Sequence, residues 1–237
     1  MEHLLRRPAG QAGAIDLLIC DCDGVIVDSE IVADRVLMEV AREFFPGRSV
    51  EAVLADAFGT QTEVLLQRLT AHLDEPLPAG FRPRLSERFA TALATEVEPP
   101  AGLRAALERI GLPVAVVSNS DEARVRASVL RAGVADLIGD RIFSADHVAR
   151  PKPAPDVYLL AARNLGVEPA RCLAVEDSGP GVAAALAAGM AAIGFVGGSH
   201  IPAGHARRLA ELGARPVLDR VADLPAAVAA RRFPAER

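Results

Sequence analysis

The chain has 237 residues, of which 51% are hydrophobic, 24% charged and 4% aromatic, and its formal net charge is −5. This length allows one large domain or two modest ones with a substantial core, and the excess of acidic residues argues against a nucleic-acid binder or a protein of anionic membrane surfaces. Of the 26 basic residues, 25 are arginine, and the single lysine is Lys152. A bias towards arginine explains the ratio but not the position of the one lysine.

The cysteines, histidines and apolar stretches exclude further classes. Three cysteines without CxxC spacing do not indicate a disulfide framework, and five histidines without an HExxH pattern do not indicate a zinc site. The first residues lack the apolar region of a signal peptide, and no stretch reaches the ~18–20 apolar residues of a membrane span. The sequence therefore predicts a soluble, cytoplasmic protein, a monomer or weak homodimer that binds neither nucleic acid nor membranes.

The first predicted element is a buried strand. After a loose tail over residues 1–13, Ile15–Cys20 is an apolar run broken only by Asp16, which is typical of a strand buried on both faces. The run ends abruptly in Asp21-Cys22-Asp23-Gly24. Two carboxylates therefore stand at its carboxyl end.

Residues 30–97 follow as a block with helical patterns and no strand-like run. Asp28-Ser29-Glu30 is predicted to cap the first helix and to act as a hinge. We predict a helical cap domain, 30–97, inserted into a core formed by 14–29 and 98–237. The predicted helices are Glu30–Phe45, Val50–Phe58, Thr62–Leu73 and Leu85–Thr95.

Strand and helix patterns alternate in the rest of the chain. This alternation predicts βαβ units and a parallel sheet covered by helices on both faces, an α/β fold. The predicted strands are Val114–Val117, Cys172–Val175 and Ala191–Val196. The predicted helices are Leu103–Ile110, Glu122–Ala132, Val182–Ala188 and one that begins near Asp156.

Polar residues end three of the strand-like runs, and the carboxyl ends of parallel strands share one edge where ligands bind. These residues are Asp21 and Asp23, then Ser118 and Asn119, then Glu176 and Asp177. Lys152 lies in a proline-rich loop before a helix. So many carboxylates need a counter-cation, and Mg²⁺ is held by carboxylates together with phosphate oxygens.

This set of side chains suits phosphoryl transfer. Ser118 and the Lys152 ammonium would bind phosphate oxygens. One carboxylate could attack phosphorus, and a second could protonate the leaving oxygen. Each piece alone also fits a turn, a helix cap or a surface charge, and only their order along the chain makes the pattern specific.

Four motifs resemble those of the haloacid dehalogenase-like hydrolase superfamily. They are DCDGVIVDSE (Asp21–Glu30), VVSNS (Val116–Ser120), KPAPD (Lys152–Asp156) and VEDSGPG (Val175–Gly181). The chain is similar in particular to the sugar-phosphate phosphatase and β-phosphoglucomutase branch, which has a helical cap inserted after the first motif. The resemblance implies a Rossmann-like core.

The resemblance also implies roles for individual residues. It implies Asp21 as nucleophile, Asp23 as general acid and base, and phosphate contacts from Ser118 and Lys152, with Asn119 beside them. It implies Mg²⁺ bound by Asp21, the Asp23 backbone carbonyl and Asp177, with Glu176 as a further ligand or outside the first set of ligands.

Two comparisons with the family pattern bear on function, one an agreement and the other a departure. The acidic residue at position 23 marks phosphatases and mutases and disfavours C–halogen hydrolysis. The mutases carry a histidine and an arginine in the cap that hold a second phosphate. Ala33 and Thr62, or a neighbour of Thr62, stand at these positions, which favours a phosphatase.

Substrate choice in such enzymes is expected to depend on a cap loop. The best candidate is Phe58–Glu63, where Gln61 and Thr62 could bind substrate hydroxyls or serve in a turn or cap. Surface or loop roles are predicted for His200 and His205.

The sequence thus predicts a Mg²⁺-dependent phosphatase that hydrolyses small phosphorylated metabolites, such as sugar, sugar-acid or polyol phosphates, through phospho-Asp21. Two alternatives stay open. One is a phosphomutase that uses the same nucleophile, and the other is a phosphoryl-accepting binding domain.

Overall fold

The computed structural model describes residues 14–54, 62–198 and 201–232. Three parts of the chain discussed above lie outside the described residues. They are the predicted tail at 1–13, the cap-loop residues Phe58 to Gln61, and the pair Ser199 and His200. No helix in the described part of the chain is long and apolar enough to cross a membrane.

A parallel sheet of six strands forms the centre of the molecule, in the order β3-β2-β1-β4-β5-β6. The order of the strands reverses between β1 and β4, and such a reversal opens a crevice at the carboxyl ends of the strands. The strands are β1 (Leu17–Asp21), β2 (Val114–Val117), β3 (Ile142–Phe143), β4 (Cys172–Glu176), β5 (Ala191–Phe195) and β6 (Val217–Leu218).

Eleven α-helices can be assigned in the described ranges. Five of them, α1 to α5, lie between β1 and β2 along the chain. These are α1 (Glu30–Phe44), α2 (Glu51–Leu54), α3 (Thr62–Leu73), α4 (Phe81–Thr95) and α5 (Leu103–Ile110). The others are α6 (Glu122–Arg131), α7 (Ala135–Ile138), α8 (Asp156–Leu165), α9 (Gly179–Ala187), α10 (His205–Leu212) and α11 (Leu224–Arg232).

Strand β1 is buried along its whole length, because helices cover both faces of the sheet. Its side chains alternate between the two faces, as the period of two in a strand requires. Leu18 and Cys20 pack in the core that includes α5, α6 and α11. Leu17 and Ile19 pack on the opposite face against α8 and α9. The sequence shows this double burial as a continuous apolar run.

The inserted helices have an aromatic centre of their own. Phe81 at the start of α4 is fully buried, and its ring centroid lies 5.3 Å from that of Phe44 and 6.0 Å from that of Phe45. In the described residues between Glu30 and Thr95 there is no strand. An α/β core with a helical insertion after β1 is therefore confirmed, whereas the domain boundaries stay a prediction.

Two helices begin earlier than the sequence pattern indicates. Helix α4 begins at Phe81 rather than Leu85, because Pro83 falls in the first turn, where a missing N–H costs no hydrogen bond. Helix α9 begins at Gly179 rather than Val182, with Pro180 in its first turn and Ser178 as the N-cap.

The sequence analysis missed the two edge strands. β3 and β6 each have two residues, too few for a periodic signal. Pairing with β2 and β5 defines them. Helices α7, α10 and α11 were also not predicted.

Candidate active site

A cavity of about 600 Å³ lies at the carboxyl ends of the strands, beside the reversal between β1 and β4. The core and the inserted helices α1, α3 and α4 all line it. Most of the residues predicted for the site line this cavity: Asp21, Asp23, Thr62, Ser118, Asn119, Lys152 and Asp177.

Lys152 is the buried cation of the site. Only 4% of it is exposed, and its ammonium donates to Asp21 Oδ1 at 2.5 Å, Glu176 Oε1 at 2.6 Å and the Val117 carbonyl at 3.2 Å. Three donors thus meet three acceptors, and no N–H of the ammonium lacks a partner. Lys152 joins the ends of β1, β2 and β4.

Burial and charge shift the pKa values of this pair. Burial raises the pKa of Asp21 to about 8, with Lys152 opposing the rise and Glu176 and Asp23 adding to it. For Lys152, burial alone would lower the pKa, but the carboxylates of Asp21 and Glu176 hold it above its ordinary value. The ammonium therefore stays charged.

Asn119 holds the loop that carries Lys152. Its amide nitrogen donates to the Lys152 carbonyl at 3.0 Å, and the Lys152 amide donates to Asn119 Oδ1 at 2.8 Å. Both polar atoms of the side chain are thus used in positioning the lysine loop, which the sequence did not predict. A contact between Asn119 and substrate stays a prediction.

Glu176 is fully buried in a tight pocket. Besides Lys152, it accepts hydrogen bonds from the Tyr158 hydroxyl at 2.6 Å and from Ser178 Oγ at 3.1 Å. A Cβ atom on Gly181 would overlap the Glu176 carboxylate, so this position has room only for glycine. The first turn of α9 is therefore shaped around the carboxylate.

Three carboxylates form a group suited to a metal ion. Oxygen atoms of Asp21, Glu176 and Asp177 all lie within 4.8 Å of one another, and all three residues are buried. A Cβ atom on Gly24 would overlap the Asp177 carboxylate, and the φ of +85° at Gly24 also favours glycine. Hard oxygen donors at this density fit a divalent cation such as Mg²⁺.

Asp23 is held apart from this group by several donors. Oδ1 accepts from Ser29 Oγ at 2.5 Å and Arg124 Nη2 at 2.9 Å, and Oδ2 accepts from Ser120 Oγ at 3.0 Å. Burial raises the pKa of Asp23, but Arg124 and the two hydroxyls outweigh it and hold the pKa below its ordinary value. Asp23 is therefore a carboxylate in this arrangement.

The segment Asp28-Ser29-Glu30 does lead into α1, but the predicted cap is not made by the side chain of Ser29, and the hinge stays a prediction. Ser29 is the N-cap residue of α1, but its backbone is helical and its side chain accepts no capping hydrogen bond. The helical backbone at Ser29 does not present its oxygen to the first amides of α1, and its hydroxyl donates to the half-buried carboxylate of Asp23. The start of the inserted helices is thus tied directly to Asp23.

Ser118 lies under the cavity and is 1% exposed. Its hydroxyl accepts from the Ser120 amide at 2.9 Å and lies 3.4 Å from Asp23 Oδ2. Ser118 and Ser120 thus both approach the same oxygen of Asp23. A phosphate contact from Ser118 stays a prediction.

Of the two cap-loop residues, Thr62 is exposed and lines the cavity, whereas Gln61 lies outside the described residues. A surface or loop role was predicted for His205, and the structure adds one contact to it. His205 is half-buried, and its Nε2 lies 2.6 Å from the backbone carbonyl of Asp177. The contact arises because α10 begins beside the end of β4, a proximity that is invisible in the sequence.

Arg124 is the main residue that sequence reasoning missed. It contacts Asp23, and its guanidinium lies 5.1 Å from the centroid of the Phe89 ring in α4. Its Nε is buried without a hydrogen-bond partner among the described residues. Arg124 lies in the first turn of α6, four residues after Ser120. The helix dipole disfavours a cation at that position, and this was the signal available in the sequence.

Comparisons with known proteins identify the family of the chain. Residues 15–189 match the haloacid dehalogenase-like hydrolase family. The chain is 32% identical to fructose-1-phosphate phosphatase of Escherichia coli (strain K12), over 74% of this chain and 94% of that protein. It is 36% identical to hexitol phosphatase A of the same strain, over 71% of this chain and 77% of that protein.

A solved structure extends the similarity to nearly the whole chain. A haloacid dehalogenase family hydrolase from Deinococcus radiodurans R1, crystallised with phosphate and sodium, is 34% identical with a TM-score of 0.75. The match covers 92% of this chain and 97% of that one. The chain belongs to the haloacid dehalogenase-like hydrolase family. The predicted enzyme class, a phosphoric monoester hydrolase of this family, is confirmed.

Proposed function

We propose that this protein is a Mg²⁺-dependent phosphatase of small phosphorylated metabolites, among them sugar, sugar-acid or polyol phosphates, with Asp21 as nucleophile. The observation that carries the proposal is the position of Asp21 between Lys152 and the carboxylates of Glu176 and Asp177. The activities named for the two Escherichia coli relatives, on fructose 1-phosphate and hexitol phosphates, support this substrate class.

The reaction would proceed in two displacements. In the first, a carboxylate oxygen of Asp21 bonds to phosphorus, the bond from phosphorus to the ester oxygen breaks, and the leaving oxygen takes a proton from Asp23. In the second, water gives a proton to Asp23 and attacks phosphorus. The bond to Asp21 then breaks, and inorganic phosphate is released.

Without substrate, the surroundings of Asp23 favour its role as general base over its role as general acid. Arg124, Ser29 and Ser120 stabilise the carboxylate, which is the form that accepts a proton from water. The first displacement needs the protonated form, so those contacts must loosen when substrate binds. Asp23 lies at the junction of core and inserted helices, where such a change can occur.

The donor set fits Mg²⁺, which would be held by Asp21, Asp177 and the Asp23 backbone carbonyl and would supply positive charge beside the transferred phosphoryl group. Lys152 has a separate task, because it neutralises Asp21 and Glu176 and fixes the direction of the nucleophile. Both oxygens of Glu176 already accept hydrogen bonds. This favours a role for Glu176 outside the first set of ligands.

A phosphatase is favoured over the two alternatives. Ala33 and Thr62 line the cavity where a mutase would need cations for a second phosphate. A phosphoryl-accepting domain has no need for the helices that cover the nucleophile. A mutase would require a catalytic bisphosphate and release little phosphate, and an accepting domain would keep phospho-Asp21 for minutes.

The test is phosphate release from p-nitrophenyl phosphate and from a panel of phosphorylated sugars, sugar acids and polyols, with Mg²⁺ present. Replacing Asp21→Asn is expected to lower kcat by at least about a thousandfold, because the nucleophile is lost. Asp16→Asn is the matched control, since Asp16 precedes β1 at the opposite end and pairs with Arg171. Normal turnover by the Asp21 variant would contradict the proposal.

A further inference from the structure

The described residues of the inserted helices bring no positive charge to the cavity above Asp21. Among the described residues that line it from these helices, Asp34 of α1 is the only charged one. The others are Ala33, Leu37, Thr62, Leu65 and Phe89. Residues 55–61, which join α2 to α3 in the sequence, include no lysine or arginine. The leaving group of a bound phosphomonoester would face this wall.

On the core side of the cavity, the cations among the described residues are already paired with carboxylates. Its two basic residues among those described are Lys152 and Arg124. Lys152 is paired with Asp21 and Glu176, and Arg124 with Asp23. Asp121 adds another carboxylate at the rim, where it caps α6.

We propose that Asp34 is a specificity-determining residue, which makes the enzyme select phosphomonoesters of uncharged alcohols and reject those whose alcohol carries a carboxylate or a second phosphate. This inference rests on the proposed function and narrows its substrate class to polyol and neutral sugar phosphates. Selection arises because the half-buried Asp34 carboxylate repels a second anion, and the two cations among the described lining residues are already paired with carboxylates.

The test compares two matched pairs of phosphomonoesters. Glycerol 3-phosphate and 3-phosphoglycerate differ only in a CH₂OH group against a carboxylate, and sorbitol 6-phosphate and 6-phosphogluconate differ in the same way. kcat/KM is measured for each compound. The constant for inhibition of p-nitrophenyl phosphate hydrolysis is measured as well, because it shows whether a compound that is not hydrolysed still binds. The wild type is expected to favour the uncharged member of each pair by about tenfold or more.

Two variants with the same change of charge separate a local effect from a general one. Asp34→Asn is expected to reduce the preference by about tenfold, mainly by improving the acidic member. Asp140→Asn should leave the preference unchanged, because Asp140 is fully exposed and precedes β3, at the amino ends of the strands and away from the cavity. Raising the salt concentration should also weaken the preference of the wild type.

Equal or better use of the acidic members by the wild type would overturn the inference, and so would a preference that Asp34→Asn leaves unchanged. A parallel change for both members of a pair would show a merely structural role and would also overturn it. If p-nitrophenyl phosphate is hydrolysed while discrimination is absent, only this inference fails. If no compound releases phosphate, the proposed function fails and this inference with it.

Discussion

Lys152 balances the charge of the site at the scale of single residues. Each of its three N–H groups has an acceptor, two of them carboxylates, in a pocket where 4% of the residue is exposed. Arginine has a wide planar guanidinium group, whereas lysine is a compact charge on a flexible stem. The pocket explains why the one lysine stands here in a chain whose other basic residues are arginine.

Replacing Lys152→Arg is therefore expected to lower kcat/KM by at least about tenfold, or ~1.4 kcal/mol, while the fold stays intact. The larger group cannot meet Asp21, Glu176 and the Val117 carbonyl with the same geometry. Steady-state kinetics, with circular dichroism as the check of folding, measures the effect. Arg150→Lys is the control, because Arg150 is exposed in the same loop and pairs with Asp156. Wild-type kinetics for the Lys152 variant would disprove this explanation.

At the scale of secondary-structure elements, the start of α9 determines how Glu176 is held. Ser178 caps the helix by accepting from the Gly181 amide at 3.1 Å, and its hydroxyl also reaches Glu176. Gly181 leaves room for the carboxylate. One helical turn thus fixes the residue that anchors Lys152 and Tyr158.

Gly181→Ala is expected to displace the Glu176 carboxylate and to lower activity by about 10- to 100-fold, as the loss of supporting contacts around a metal site does. Overpacking should also cost about 1–3 kcal/mol of the free energy of unfolding. Denaturant unfolding and phosphate release measure the two effects.

The control for Gly181 is Gly80→Ala at the N-cap of α4, where a new Cβ atom meets only ordinary contacts with Phe44. This variant should keep full activity and lose no more than about 1 kcal/mol. If the two variants had the same activity and the same stability, the close approach of α9 to Glu176 would not matter for function, and the prediction would be wrong.

At the scale of the whole molecule, the buried carboxylates make stability depend on pH and on the metal. The pKa of Asp21 rises from 3.8 to about 8 on folding in the absence of metal. The folded protein therefore holds this proton more tightly than the unfolded chain does. The stability that it contributes is complete below about pH 4 and is lost as the pH rises towards 8.

Mg²⁺ should restore the stability that is lost at high pH. It binds the deprotonated carboxylate of Asp21 and therefore competes with the proton there. The increase in Tm caused by Mg²⁺ is expected to be larger at pH 8 than at pH 6, since the apparent affinity weakens by up to about tenfold for each pH unit below 8. Thermal unfolding with and without Mg²⁺ at both pH values tests this. Asp21→Asn should remove most of the difference between the two pH values, and Asp16→Asn should keep it. A wild-type Tm shift that does not depend on pH would contradict the coupling.

The sequence by itself determined the fold class, because continuous apolar runs signal strands buried on both faces, and glycine and proline stops mark helix ends. It also predicted which residues gather at the site, since parallel strands deliver their last side chains to one edge. Asp21, Lys152, Glu176 and Asp177 are close together as expected. The family resemblance added their proposed roles, which the geometry alone does not assign.

Only the tertiary structure decided contacts between elements that are far apart in the chain. The pairing of Arg124 with Asp23 and the approach of His205 to Asp177 depend on how helices pack on the sheet. The placement of Asp34 in the cavity wall depends on the inserted helices. A periodic pattern records which face of an element is buried but not which element covers it. For that reason the sequence identified the edge of the sheet where the candidate site lies, whereas the contacts that surround the site became visible only in the folded chain.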